Sequence, residues 1–233
     1  MQGIDNTPSV FKKPWGWEAE VFNSSTVGIS FLSMIKGKST SLHCHPNKRT
    51  GYIVLKGEVQ VEFLAGKRSY ARGDRVNFRK ALFHRTEALT EDVIILELES
   101  PSNKNDLIRL EDHSGRQDSI YESELITLDQ LNRERLDNIL AVLSKNSSKF
   151  NQMKYLQFEA KTQKTSPNWI INNCENDVVI SPLSGSILTN KSSYHRSEGV
   201  IVFPGDVTCV RDLKRMSKII DLDVELNIFF LKF

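Results

Sequence analysis

Three histidines stand at positions where their rings can be brought together: His43 and His45, two residues apart, and His84 in a later segment. Alternate residues of an extended strand face the same side, so His43 and His45 can point into one cavity. Imidazoles at that spacing suit a divalent transition-metal ion such as Zn, Fe, Mn or Ni. His84 follows the Gly73-Asp74 turn and would complete a three-sided face from a neighbouring strand. Lys48 and Arg49 come directly after the pair and are candidates to hold an anionic substrate group; the plainer reading is a solvated loop. Thr50 and Tyr52 share strand parity, which makes both candidates to line the same cavity. Glu97 and Tyr52 are the candidate catalytic groups, since an inward carboxylate can serve as general base. Sequence alone favours a solvent face for Glu97 and Glu99, which alternate with apolar residues.

Such side chains need strands to hold them. From Trp15 to Glu99 the chain reads as short strands: 27–35, 51–55, 58–64 and 92–99 are rich in Val, Ile, Phe and Leu. Gly37, Lys56-Gly57, Ala65-Gly66 and Arg72-Gly73-Asp74 separate them, which points to a sandwich or barrel. The two strands flanking Lys56-Gly57 are close enough to form a hairpin. Thr127 and Gln130 have capping-box spacing, and Leu128, Leu131, Leu136, Ile139, Leu140 and Leu143 predict a helix with one apolar face. After it, strand texture returns at 178–180, 186–188, 199–203 and 227–231, with turns at 182–185 and 204–206. The expected organisation is a metal-binding barrel over residues 1–118, a linker with a helix over 119–149, and a second, degenerate β unit over 150–233. That second unit has His195 as its only histidine and should hold no such metal site.

The 233 residues carry 31 Lys+Arg against 29 Asp+Glu, a net charge of +2 that demands neither nucleic acid nor an anionic membrane. No apolar run approaches the roughly 20 residues of a membrane span. The first 18 residues lack an apolar signal core, and three widely spaced cysteines fit reduced thiols. A cytoplasmic protein is the expectation.

The stretch from Gly37 through His43 and His45 to Gly57 resembles the first motif of the cupin superfamily, and Gly73 with His84 resembles the second. The resemblance implies a mainly β, jelly-roll-like barrel with His43, His45 and His84 as metal ligands. Cupins commonly place a glutamate ligand where this chain has Thr50, and Arg79-Lys80-Ala81 replaces the usual proline and glycine of the second motif. The opening Lys13-Pro14-Trp15-Gly16-Trp17-Glu18, followed by Ser41-Leu42-His43-Cys44-His45, is similar to the cupin domain of bifunctional-type mannose-6-phosphate isomerases. This likeness covers residues 11–100 and implies a sugar or sugar-phosphate ligand, with a homodimer expected by analogy. Three functions compete. The first is a metal-dependent isomerase or epimerase acting on a sugar phosphate or nucleotide sugar in carbohydrate biosynthesis. The second is a non-catalytic sugar-binding protein, and the third is a three-histidine Fe(II) dioxygenase.

Overall fold

The computed structural model describes residues 9–116, 151–152, 159–188, 200–218 and 220–233. The expected linker and helix at 119–149, and His195, lie outside them. Eleven strands make up the N-terminal part. They are β1 (Ser9–Lys13), β2 (Gly16–Asn23), β3 (Gly28–Met34), β4 (Leu42–Cys44), β5 (Arg49–Lys56) and β6 (Glu58–Phe63), followed by β7 (Gly66–Ala71), β8 (Arg75–Phe78), β9 (His84–Ala88), β10 (Val93–Ser100) and β11 (Ile108–Glu111). They form two antiparallel sheets, ordered β1-β2-β3-β10-β5-β8 and β11-β4-β9-β6-β7. Most turns carry the chain from one sheet to the other, which is the jelly-roll solution to closing a β structure.

The segment around Lys56-Gly57 is such a crossing and not the expected hairpin. β5 pairs with β10 and β8, whereas β6 pairs with β7 and β9. Gly57 makes the switch at φ 77, where an added Cβ would meet Thr90 Oγ1 at 2.7 Å. The tight hairpin lies one strand later, where Phe63 pairs with Gly66 across two residues.

The central strands β3, β10 and β5 are buried on both faces. Leu32, Met34, Tyr52, Val54, Val93 and Ile95 point inward with Phe78 of the neighbouring β8, against Val59 and Val61 of β6 in the opposing sheet. Phe31, Ile53, Leu55, Ile94, Leu96 and Leu98 point outward and pack on Val179, Val207, Phe229 and Leu231 of the C-terminal part. Burial on both faces is why these strands read as continuous apolar runs.

The C-terminal part contains β12 (Asn151–Gln152), β13 (Glu159–Thr165), α1 (Pro167–Asn173), β14 (Val179–Ser184), β15 (Ile187–Leu188), β16 (Val200–Val202), β17 (Thr208–Cys209), α2 (Val210–Met216) and β18 (Leu226–Lys232). Its main sheet runs β12-β13-β18-β14-β17, and β15 pairs with β16. Among the described residues it is β-rich as expected, and it adds two short helices that the sequence pattern did not announce. Ser166 caps α1 by accepting from the Trp169 N–H, with Pro167 opening the first turn. The expected turn at 182–185 is largely strand, since β14 runs through Ser184 and bulges at Pro182. Along β18, Leu226, Ile228 and Phe230 face this part's own core while Phe229 and Leu231 face the barrel. No described helix is long and apolar enough to cross a membrane.

Polar contacts fix the docking. Asn77 donates to the Val207 carbonyl at 2.9 Å and accepts from the Val207 N–H at 2.8 Å, and Arg75 pairs with Asp212. Gly51 permits the close approach, because a Cβ there would stand 2.5 Å from the Gly205 carbonyl oxygen. Gly51→Ala should therefore destabilise the protein by about 1–3 kcal/mol through overpacking. An unchanged melting temperature would show that the contact yields freely.

Candidate metal centre and cavity

β4 and β9 bring His43 directly opposite His84, and His45 follows one residue beyond the end of β4. The ring centroids lie 4.5 Å apart for His43–His84, 4.9 Å for His43–His45 and 5.6 Å for His45–His84. One nitrogen from each ring lies within 4.8 Å of the others, and all three residues are buried. Phe78 stacks on His84 at 3.8 Å and 13°, holding that ring flat.

The hydrogen bonds decide which nitrogen is available. His43 Nδ1 meets the Ser41 carbonyl at 2.8 Å, His45 Nδ1 the Asp106 carbonyl at 2.7 Å, and His84 Nδ1 the Leu82 carbonyl at 3.0 Å. A carbonyl can only accept, so each Nδ1 carries the proton and each Nε2 presents a lone pair. His84 Nε2 is fully buried with no hydrogen-bond partner. Burial lowers the proton affinity of all three rings. His43 is lowered well below its ordinary value by burial, His84 and His45; His45 by burial, Lys48 and His84; His84 falls to about 4, mainly by burial. Three neutral rings with backbone-locked tautomers are the donor set that a divalent ion of the Zn, Fe or Mn type requires. The residues present fit such an ion.

Metal-free protein should consequently be acid-sensitive. An unfolded histidine titrates near 6.5, whereas these take protons only at lower pH. As pH falls below about 7 the unfolded chain binds more protons, so stability drops by up to roughly 1.4 kcal/mol per pH unit for each histidine. Chelator-treated protein should melt progressively lower from pH 7 to pH 4. A flat melting temperature over that range would contradict the neutral-ring assignment.

A cavity of about 550 Å³, its open mouth included, is lined by His43 and His45 together with Lys48, Tyr52, Glu97 and Glu99. Inward parity places Glu97 and Glu99 there, with Val93 and Ile95, so neither carboxylate has the solvent face that their alternation suggested. The physical reason is that the C-terminal sheet covers the apolar face of β10, leaving its polar face to the cavity. Glu97 pairs in register with Tyr52, whose hydroxyl donates to it. Burial raises Glu97 to about 7 against the pull of Lys104, and burial and Glu97 push Tyr52 well above its ordinary value.

The other candidates divide. Lys48 is buried, with its Nζ 2.5 Å from Glu99, and is not in a solvated loop. Arg49 does not line the cavity; it stacks on Phe203 at 3.7 Å and reaches Asp206 at 3.5 Å. Thr50 is fully buried on the face it shares with Tyr52, and its hydroxyl has no hydrogen-bond partner. It is not among the residues of the open cavity. Trp15 joins the cavity wall.

Sequence reasoning missed the loop between β10 and β11. Besides holding His45 through its carbonyl, Asp106 accepts at 2.9 Å from Asn47 N–H, Asn47 Nδ2 and Lys48 N–H, which ties down the segment just after the histidine pair. Lys104, from the same loop, sits 2.8 Å from both Glu18 and Glu99, and Lys13 closes the chain at 3.6 Å from Glu18.

No protein-family model matches this chain, and no curated protein matches it significantly. Among solved structures it is similar to KdgF from Halomonas sp. at 21% identity, over 42% of this chain and 92% of that one, with a TM-score of 0.40. An RmlC-like cupin from Shewanella frigidimarina aligns at 16% identity over 44% and 91%, TM-score 0.39. A sugar phosphate isomerase from a cupin superfamily, from Silicibacter pomeroyi, aligns at 14% identity over 40% and 64%, TM-score 0.35. The strand order, not these scores, carries the architecture: the protein is mainly β, and β1–β11 form a two-sheet antiparallel sandwich of jelly-roll type.

Proposed function

We propose that the protein is a metal-dependent isomerase or epimerase acting on a small anionic sugar derivative, such as a sugar phosphate or nucleotide sugar. One observation carries the reading: Glu97 shares a cavity with His43 and His45, two of the three clustered neutral histidines, and is poised to gain or lose a proton near neutral pH. His43, His45 and His84 would hold a divalent ion, whose chemistry here is Lewis acidity toward substrate oxygens. Glu97 takes a proton from the carbon next to a carbonyl; in an isomerase it returns that proton to the adjacent carbon, and in an epimerase a proton from water enters on the opposite face. Tyr52 stays protonated and orients Glu97 through its hydroxyl. Thr50 in place of a ligating glutamate adds no negative charge, so the loaded site keeps its full +2 and favours anionic substrates.

Purified protein should contain close to one divalent ion per chain. Incubation with sugar phosphates and nucleotide sugars in D₂O should place deuterium at a carbon next to the carbonyl, read by NMR. Metal-loaded protein that binds such sugars without any exchange would instead favour a sugar-binding role, and oxygen uptake with iron would favour a dioxygenase.

A further inference from the structure

The sequence pointed to Lys48 and Arg49 for the substrate's anionic group, but Lys48 is sealed against Glu99 and Arg49 is engaged by the C-terminal part. Further cations face the same cavity. β11 is paired with β4 so that Arg109 stands opposite His43. Its neighbours Ile108 and Leu110, 53% and 46% exposed, lie on the outer side, while Arg109 lines the cavity. Directly opposed residues of an antiparallel pair have Cβ atoms about 4.5–5.5 Å apart, so this guanidinium stem starts beside the histidine's. Arg116 also lines the cavity; Asp112 grips its guanidinium at 2.6 and 3.0 Å, and its carbonyl accepts from Arg109 Nη1 at 3.5 Å.

The chain Lys13–Glu18–Lys104–Glu99–Lys48 links three ammonium groups through two carboxylates, and Lys104 and Lys48 also act on Glu97. Lys13, Glu18, Glu99 and Lys48 are buried in it, and Lys104 is its most exposed member at 20%. Lys104 is therefore the ammonium of this network that stands most open to the cavity. A fork-shaped cation and an ammonium at one mouth recognise an oxyanion: the guanidinium by paired hydrogen bonds, the lysine as a point charge.

We propose that Lys104 and Arg109 form an oxyanion subsite beside the histidine triad, which takes the carboxylate or phosphate of a small hydroxylated substrate while its other end faces His43 and His45. The subsite rests on the functional reading above only in taking the cavity to be the substrate site. It also fixes polarity: the charged end of the substrate lies toward β11, and the reacting carbons lie toward Glu97.

The test is calorimetric titration of the full, metal-containing protein with inorganic phosphate, gluconate and the neutral polyol sorbitol. At least one anion should bind and sorbitol should not, and whichever anion binds more tightly names the charged group. Arg109→Gln should weaken that anion tenfold or more, Arg109→Lys less, with metal content unchanged. Lys104→Gln, in a loop and not in a strand, should weaken it too, which covers the case in which the Arg109 variant disturbs β11. Anion affinities equal to wild type in both glutamine variants, or sorbitol binding as well as the anions, would overturn the subsite. Binding lost in the variants by a protein that exchanges no carbon-bound hydrogen keeps the subsite and rejects the isomerase. Exchange that persists in both variants with unchanged KM keeps the isomerase and rejects the subsite.

Discussion

His45→Ala should abolish the stabilisation that a divalent metal gives to this protein. Wild-type protein at a free metal concentration about 100-fold above its Kd should gain roughly 2.7 kcal/mol over the chelated form, seen as a rise in melting temperature. With one of three neutral ligands removed, affinity should fall by more than the ~10–100-fold typical of losing an outer hydrogen-bond partner, so the same addition should produce no rise. His45 is the informative choice because it lies just past the end of β4 and leaves the inter-sheet core untouched. His84→Ala should lose the metal response as well, but it should also lower the melting temperature of the chelated protein. That ring is fully buried against Phe78, and its truncation leaves a cavity worth a few kcal/mol. If both variants keep the full metal-induced rise, the ion binds elsewhere.

The histidine triad was legible in the sequence because it depends on local facts: residue type, a two-residue period and glycines at the turns. His43 and His84 then needed only one strand pairing to meet. The parity of β10 was not legible. In VIILELES both alternating sets contain apolar residues, and the outward set Ile94, Leu96 and Leu98 is buried against Val179, Val207, Phe229 and Leu231, which lie far downstream in the chain. Reading that set as the barrel's own core turns Glu97 and Glu99 toward water, the reverse of what the fold does. The solvated-loop alternative for Lys48 fails for a related reason, since its partner Glu99 is 51 residues away. Asp106, Lys104 and Arg109 gave no signal at all. They lie in or just beyond the polar loop after β10, and their roles arise from where the loop returns over His45.

Glu97→Gln tests the proton-transfer chemistry most directly. The amide keeps the shape and can still accept from the Tyr52 hydroxyl, so metal content and melting temperature should stay near wild type. What it removes is the basic oxygen, and loss of a positioned general base costs about 10²–10⁴-fold in kcat. In the wild type the base must be deprotonated to act, so kcat/KM should rise with pH through about 7, where burial holds this carboxyl. That ascending limb should be missing from the residual activity of Glu97→Gln. Tyr52→Phe supplies the complementary shift. Its hydroxyl donates to Glu97 and favours the ionised carboxylate, so removing it should move the limb to higher pH without erasing it. A histidine serving as base would behave differently, because these rings are neutral well below pH 7 and their limb would lie at acid pH. An active Glu97→Gln enzyme with an unchanged pH profile would remove Glu97 from the reaction and leave it a buried partner of Tyr52.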